Sequence, residues 1–194
     1  MTRILRIDSS IKGGASVTRR LTDRLTDRLV ARHGGTVSER DTQGLPAIDG
    51  TWIGAAYTPA DARTAEQAEA LALSDALIAE LKAADVIVIG APVYNFGVTG
   101  PLKAWIDLVC RVGETFRYGK NGPEGLVAGK PVYVAYASGG VPMGSAVDFA
   151  SAYLRQVLAF IGLTDVTFVA AEGVARDEGA AIARAETAIA RIAA

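Results

Sequence analysis

The chain has 194 residues, half of them apolar and about a fifth charged, with a formal net charge of −1; that is one domain's worth of chain with an ordinary globular balance. The near-neutral charge excludes a nucleic-acid binder held by phosphate contacts, which needs a basic excess, and it speaks against a small acidic carrier that docks by charge. One cysteine, Cys110, and one histidine, His33, rule out an internal disulfide and are too few for a zinc site, so no metal is expected and a reducing compartment fits.

Short β-branched runs alternate with longer helical patterns. Ile4–Ile7 reads as the first strand. Ser16–Arg32 reads as a helix, with Leu21, Leu25 and Leu29 on one face and arginines on the other. Gly34-Gly35 should end it, with His33 near the negative end of the helix dipole. Thr36–Arg40 is a polar strand expected at or near an edge. Thr42–Thr64 has no clear period and reads as a long connection. Glu66–Ala83 is a helix, and Asp85–Gly90 a fully apolar strand of the kind buried on both faces of a parallel sheet. A helix over Thr99–Cys110 is followed by a second long connection, Arg111–Gly129. Pro131–Ala137 is a strand, Ser145–Ile161 a helix and Asp165–Ala171 the fifth strand. The last helix has Ile182, Ala185, Ile189 and Ile192 on one face. No run of about 18 apolar residues appears, so a soluble, cytoplasmic protein without membrane contact is expected.

Five strands alternating with helices imply right-handed crossovers and one parallel sheet with helices on both faces. Two strand orders are common: the flavodoxin-like 2-1-3-4-5 and the dinucleotide-binding 3-2-1-4-5-6. In either, ligands bind beyond the carboxyl ends of the strands, where the order reverses.

Three segments at that end are unusual. Asp8–Thr18 carries Ser9, Ser10, Ser16 and Thr18 and runs into a helix N-terminus, whose free N–H groups and dipole suit a terminal phosphate. Plain capping by Ser16 explains part of it equally well. No Gly-x-Gly-x-x-Gly follows the first strand, and Gly125–Lys130 is one residue short of a Walker A loop and leads into a strand. A mononucleotide therefore fits better than a dinucleotide or a nucleoside triphosphate. Ala91–Gly97 offers Tyr94 and Phe96 as aromatic surface for a planar ligand, and Asn95 as a donor and acceptor. Ala137–Val141 follows the fourth strand with Gly139 and Gly140, which allow a close backbone approach.

These residues, in this order and spacing, resemble the FMN-dependent NADH-azoreductase family, also described as FMN-dependent NADH:quinone oxidoreductases. The likeness runs nearly end to end: Ser9-Ser10 with Ser16-Val17-Thr18, Pro92–Phe96, Thr115–Tyr118, Asn121–Leu126, Ser138–Gly140 and Phe160–Leu163. It implies a flavodoxin-like doubly wound five-stranded parallel sheet of order 2-1-3-4-5 over residues 1–194, FMN as cofactor, NADH as electron donor, and quinones or azo compounds as acceptors in ping-pong order. It implies a homodimer with FMN sites at the interface. Ser10, Ser16, Val17 and Thr18 would hold the phosphate. Pro92, Val93, Tyr94, Asn95 and Phe96 would line the ring, and Ala137, Ser138, Gly139 and Gly140 its pyrimidine side. Tyr118 and Phe160 would wall the acceptor pocket. Relatives often have Ser-Arg where this chain has Ala137-Ser138, which removes a positive charge beside the ring. No side chain is expected to act as a catalytic acid or base, since the flavin carries the chemistry. An alternative is a flavodoxin-type carrier that binds FMN without a small-molecule substrate of its own.

Overall fold

The computed structural model describes residues 1–192. Five parallel strands form the central sheet: β1 (Arg3–Asp8), β2 (Thr36–Asp41), β3 (Val86–Pro92), β6 (Val132–Ser138) and β7 (Val166–Glu172), in the order β2-β1-β3-β6-β7. Counting these five alone, that is 2-1-3-4-5, the flavodoxin-like order. β4 (Phe116–Gly119) and β5 (Gly122–Gly125) form a separate antiparallel hairpin. β2 lies at an edge and is largely exposed, as its polar sequence demands, whereas every residue of β3 is buried.

Two cores follow from the two faces of the sheet. On one face, Leu21, Leu25 and Leu29 of α1 (Val17–His33) meet Ala181, Ala185 and Ile189 of α6 (Glu178–Arg191) over Ile4, Val88 and Ala135. On the other, the larger core joins Leu5, Ile87, Ile89 and Val134 to four helices: α2 (Gly50–Tyr57), α3 (Ala65–Ala83), α4 (Gly100–Val109) and α5 (Phe149–Phe160). Each fully buried leucine contributes about 1.5–3 kcal/mol relative to exposure.

Three segments differ from the sequence-based expectation. The connection 42–64 contains α2 and a short 3-10 turn at Ala60–Ala62. Its eight residues include two glycines and bury only Trp52, Ala55 and Ala56, too little for a periodic signal; Asp49 starts it by accepting from the Trp52 N–H at 2.8 Å. α5 begins at Phe149 rather than at Ser145. Residues 142–148 are turns, and the Asp148 carboxylate caps the N–H groups of Ala150 and Ser151 at 3.1 and 3.0 Å. The connection 111–129 carries the β4–β5 hairpin. Elsewhere helix ends fall within one residue of expectation, with Thr64 and Gln67 forming a reciprocal capping box at α3. Pro92 ends β3 from inside the strand, in register with Ala137.

Candidate functional site

A cleft of about 420 Å³ opens at the carboxyl edge of the sheet, inside the roughly 300–1,000 Å³ of ordinary small-ligand sites. Its walls come from four successive strand ends, and hydrogen bonds tie those ends together. Ser9 Oγ donates to the Gly90 carbonyl (2.6 Å), joining the loops after β1 and β3. The Val93 N–H donates to the Ala137 carbonyl (2.8 Å), joining those after β3 and β6. The N–H groups of Val174 and Ala175 donate to the carbonyls of Ser138 (3.0 Å) and Gly139 (3.2 Å), joining those after β6 and β7.

At one end, Ser10, Ser16 and Thr18 bring buried hydroxyls to the cleft. Ser16 is the N-cap of α1: its Oγ accepts from the Arg19 N–H at 3.2 Å, and its carbonyl accepts from the Arg20 N–H at 3.1 Å. The first four N–H groups of a helix have no partner in the preceding turn. The Ser16 N–H is taken by the Gly13 carbonyl at 3.1 Å and the Arg19 N–H by Ser16 Oγ, which leaves the N–H groups of Val17 and Thr18, two residues that line the cleft. Capping and anion binding therefore coexist here. Ser16 Oγ lies 3.1 Å from Thr18 Oγ1, so the two hydroxyls form one polar patch.

Behind this loop, Asp8 is buried at the end of β1. Its carboxylate accepts from Arg6 Nε (2.7 Å) and Thr22 Oγ1 (2.8 Å), and Arg19 Nη1 stands 3.6 Å away. Burial pushes the Asp8 carboxyl above its ordinary pKa in spite of Arg6, Thr22 and Arg19. Arg19 also pairs with Asp41 and reaches the Ser10 carbonyl at 3.4 Å. The charges here are paired with one another, although Arg19 Nε is buried without a hydrogen-bond partner.

The middle of the cleft is lined by Pro92, Val93, Tyr94, Ala137, Ser138 and Gly139. Tyr94 starts a tight turn closed by mutual backbone hydrogen bonds with Gly97 at 3.0 and 3.1 Å. Its central residues, Asn95 and Phe96, both have positive φ (49° and 69°), and they are the only non-glycine residues that do so among those described. Asparagine tolerates this conformation; a bulky phenylalanine does not adopt it without strain. The Tyr94 hydroxyl is shielded from solvent with no hydrogen-bond partner among the described residues, a cost of about 1–3 kcal/mol, so Tyr94 lines the cleft with the rest of the residue rather than with its oxygen.

Of the expected cofactor-binding residues, Asn95, Phe96 and Gly140 stand outside the lining, all exposed, while the rest line it. Tyr118 and Phe160 lie in a different row: Tyr118 meets Phe116 edge-on with centroids 5.7 Å apart, and Phe116 meets Phe160 at 4.4 Å. Four lining residues were not singled out from the sequence: Lys12, Val174, Ala175 and Glu178. The last three follow β7, and the rule that ligands lie beyond strand ends applied to them too.

The lining fits FMN: hydroxyls and free N–H groups at one end for a monophosphate, and a largely apolar slot of Pro92, Val93, Tyr94 and Ala137 for a ring. A family model for the flavodoxin-like fold matches residues 2–194. A protein of Jannaschia sp. (strain CCS1) named FMN-dependent NADH:quinone oxidoreductase 1 is 53% identical over 195 residues, covering 100% of both chains. The chain belongs to the FMN-dependent NADH:quinone oxidoreductase family.

Within that family, the FMN-dependent NADH:quinone oxidoreductase of Cereibacter sphaeroides (strain KD131 / KCTC 12085) is 53% identical over 196 residues, again with full coverage of both. The crystal structure of an azoreductase from Bacillus anthracis superposes with a TM-score of 0.86 at 26% identity, over 97% of this chain and 99% of the other. The curated relatives match this chain over their full length, and the solved structure superposes over nearly all of both chains.

Proposed function

We propose that this protein, acting as one FMN-binding unit over residues 1–194, is an FMN-dependent enzyme that moves two electrons from NADH to quinones, with azo compounds as further acceptors. The observation that carries the reading is the cleft itself: a phosphate-sized polar patch and an apolar slot joined at the carboxyl edge of a flavodoxin-like sheet, in a chain whose relatives at 53% identity bear the name of this activity.

FMN held in the cleft supplies the redox chemistry, since no side chain of the site can store two electrons. The protein binds and orients it. Ser10, Ser16 and Thr18 would hold the phosphate with the N–H groups of Val17 and Thr18. Pro92 to Phe96 would flank the ring on one side, and Ala137 to Gly140 would present donors to its pyrimidine edge. Donor and acceptor would stack in turn on the same exposed face of the ring, which is ping-pong order. Exposed Phe96, Tyr118 and Phe149 support pairing with a second copy of the chain at that mouth, with the Tyr118–Phe116–Phe160 row facing the acceptor. No helix among the described residues is long and apolar enough to cross a membrane, and the single thiol suits a reducing cytoplasm.

The test is anaerobic mixing of FMN-reconstituted protein with NADH, followed by a quinone. Bleaching of the flavin's visible absorbance, restored by the quinone, is the expected result. Bound flavin that stays oxidised would turn the reading to an electron carrier, and absence of bound flavin would overturn it.

A further inference from the structure

We infer that Lys12, the one basic residue lining the cleft, supplies a positive charge that draws and holds the ligand's phosphate. The inference rests on the assignment of the cleft to FMN and adds to it the residue that sets phosphate selectivity.

Hydroxyls, free N–H groups and the helix dipole stabilise a phosphate monoester dianion but leave its net charge in place, so a nearby cation adds to binding. Three arginines lie near the loop, none lines the cleft, and each has carboxylate partners elsewhere. Arg6 is tied to Asp8, Asp23 and Glu39. Arg19 is shared between Asp8 and Asp41. Arg20 points toward Glu186 at 3.9 Å. Lys12 lines the cleft and has no ion-pair or side-chain hydrogen-bond partner among the described residues. Its backbone is nonetheless fixed: its N–H donates to Ser10 Oγ at 3.2 Å and its carbonyl accepts from the Ala15 N–H at 3.1 Å. The exposed Lys12 thus lines the same cleft as the hydroxyl patch from an ordered backbone position. The only other charged residue lining the cleft is Glu178, in the first turn of α6.

The experiment is fluorescence titration of the apoprotein with FMN and with riboflavin, which lacks the phosphate, for wild type, Lys12→Gln, Lys12→Arg and Glu178→Gln. Lys12→Gln should weaken FMN binding roughly tenfold, the scale of one charge-assisted hydrogen bond. It should leave riboflavin binding unchanged and flatten the salt dependence of FMN affinity. Lys12→Arg should recover most of the loss, and Glu178→Gln should leave FMN affinity equal or higher. Equal loss for both ligands in Lys12→Gln, or no loss for FMN, overturns the inference while leaving the cleft assignment intact. Loss of FMN affinity in Glu178→Gln overturns it too, because the lysine would then act through that carboxylate. A wild type that binds neither flavin overturns the cleft assignment and this inference together.

Discussion

A Cβ placed on Gly125 would stand 2.1 Å from the backbone nitrogen of Gly162. The end of the β4–β5 hairpin and the turn after α5 meet backbone to backbone, and the Val127 N–H seals the contact on the Ile161 carbonyl at 2.9 Å. Gly125→Ala must push these segments apart. We expect a loss of about 1–3 kcal/mol, the usual cost of overpacking, read by urea denaturation. FMN affinity should stay within twofold, because the cleft is built on the main sheet; a loss of flavin with little loss of stability would contradict this separation.

Phe96 pays a backbone strain for its place in the Tyr94–Gly97 turn while remaining 52% exposed. Phe96→Gly should therefore raise stability by about 1 kcal/mol, the relief of left-handed strain less glycine's greater freedom in the unfolded chain. Turnover with quinone should fall, since the aromatic surface at the cleft mouth is removed. A variant that is both less stable and fully active would refute the account.

Acid stability should depend on Asp85. Arg3 binds it through Nε at 3.3 Å, Nη2 at 3.0 Å and its backbone N–H at 2.8 Å. The Arg3 side-chain hydrogen bonds, helped by its backbone N–H and charge, hold the Asp85 carboxyl down at about 2, against an ordinary 3.8. A depressed carboxyl stabilises the fold above its unfolded pKa and loses that contribution as pH falls through the folded value. The stability gap between wild type and Asp85→Asn should be constant at neutral pH and close between pH 3.8 and about 2. Its persistence below that window would assign the effect to packing instead.

The thiol of Cys110 should be inert. Burial, with Asp107 adding to it, pushes its pKa up to about 12, so almost no thiolate exists at pH 8. Labelling of the native protein by a thiol reagent should be far slower than labelling in denaturant, and pre-treatment should leave turnover unchanged. Rapid native labelling with loss of activity would show that the cysteine matters.

The parallel sheet was legible because its signals are long and repeated. The apolar run Val86–Ile89 and the leucine stripe of α1 each allow one burial pattern. α2 was not, because a helix of eight residues held by one aspartate cap and three buried side chains leaves no period to read. The hairpin escaped for a related reason. Its strands, Phe-Arg-Tyr-Gly and Gly-Pro-Glu-Gly, are glycine-rich and mostly exposed, and their position depends on the Gly125–Gly162 contact, which joins residues distant along the chain. The loops after β1 and β3 stood out through serines and aromatics. The loop after β7 has only Val174, Ala175 and Glu178 to offer, residue types that carry no chemical signal of their own.

The rim of the cleft is stitched from loop to loop, Ser9 to Gly90, Val93 to Ala137, Val174 to Ser138. A rim of this kind cannot open at one place without loosening the next. Its amide protons should therefore exchange with solvent as a cooperative group, close to the rate of the sheet that carries it. These ties order the loop backbones during folding, so less of a ligand's interaction energy goes into freezing them. Departure of the cofactor would leave the empty seat in shape, ready to be refilled.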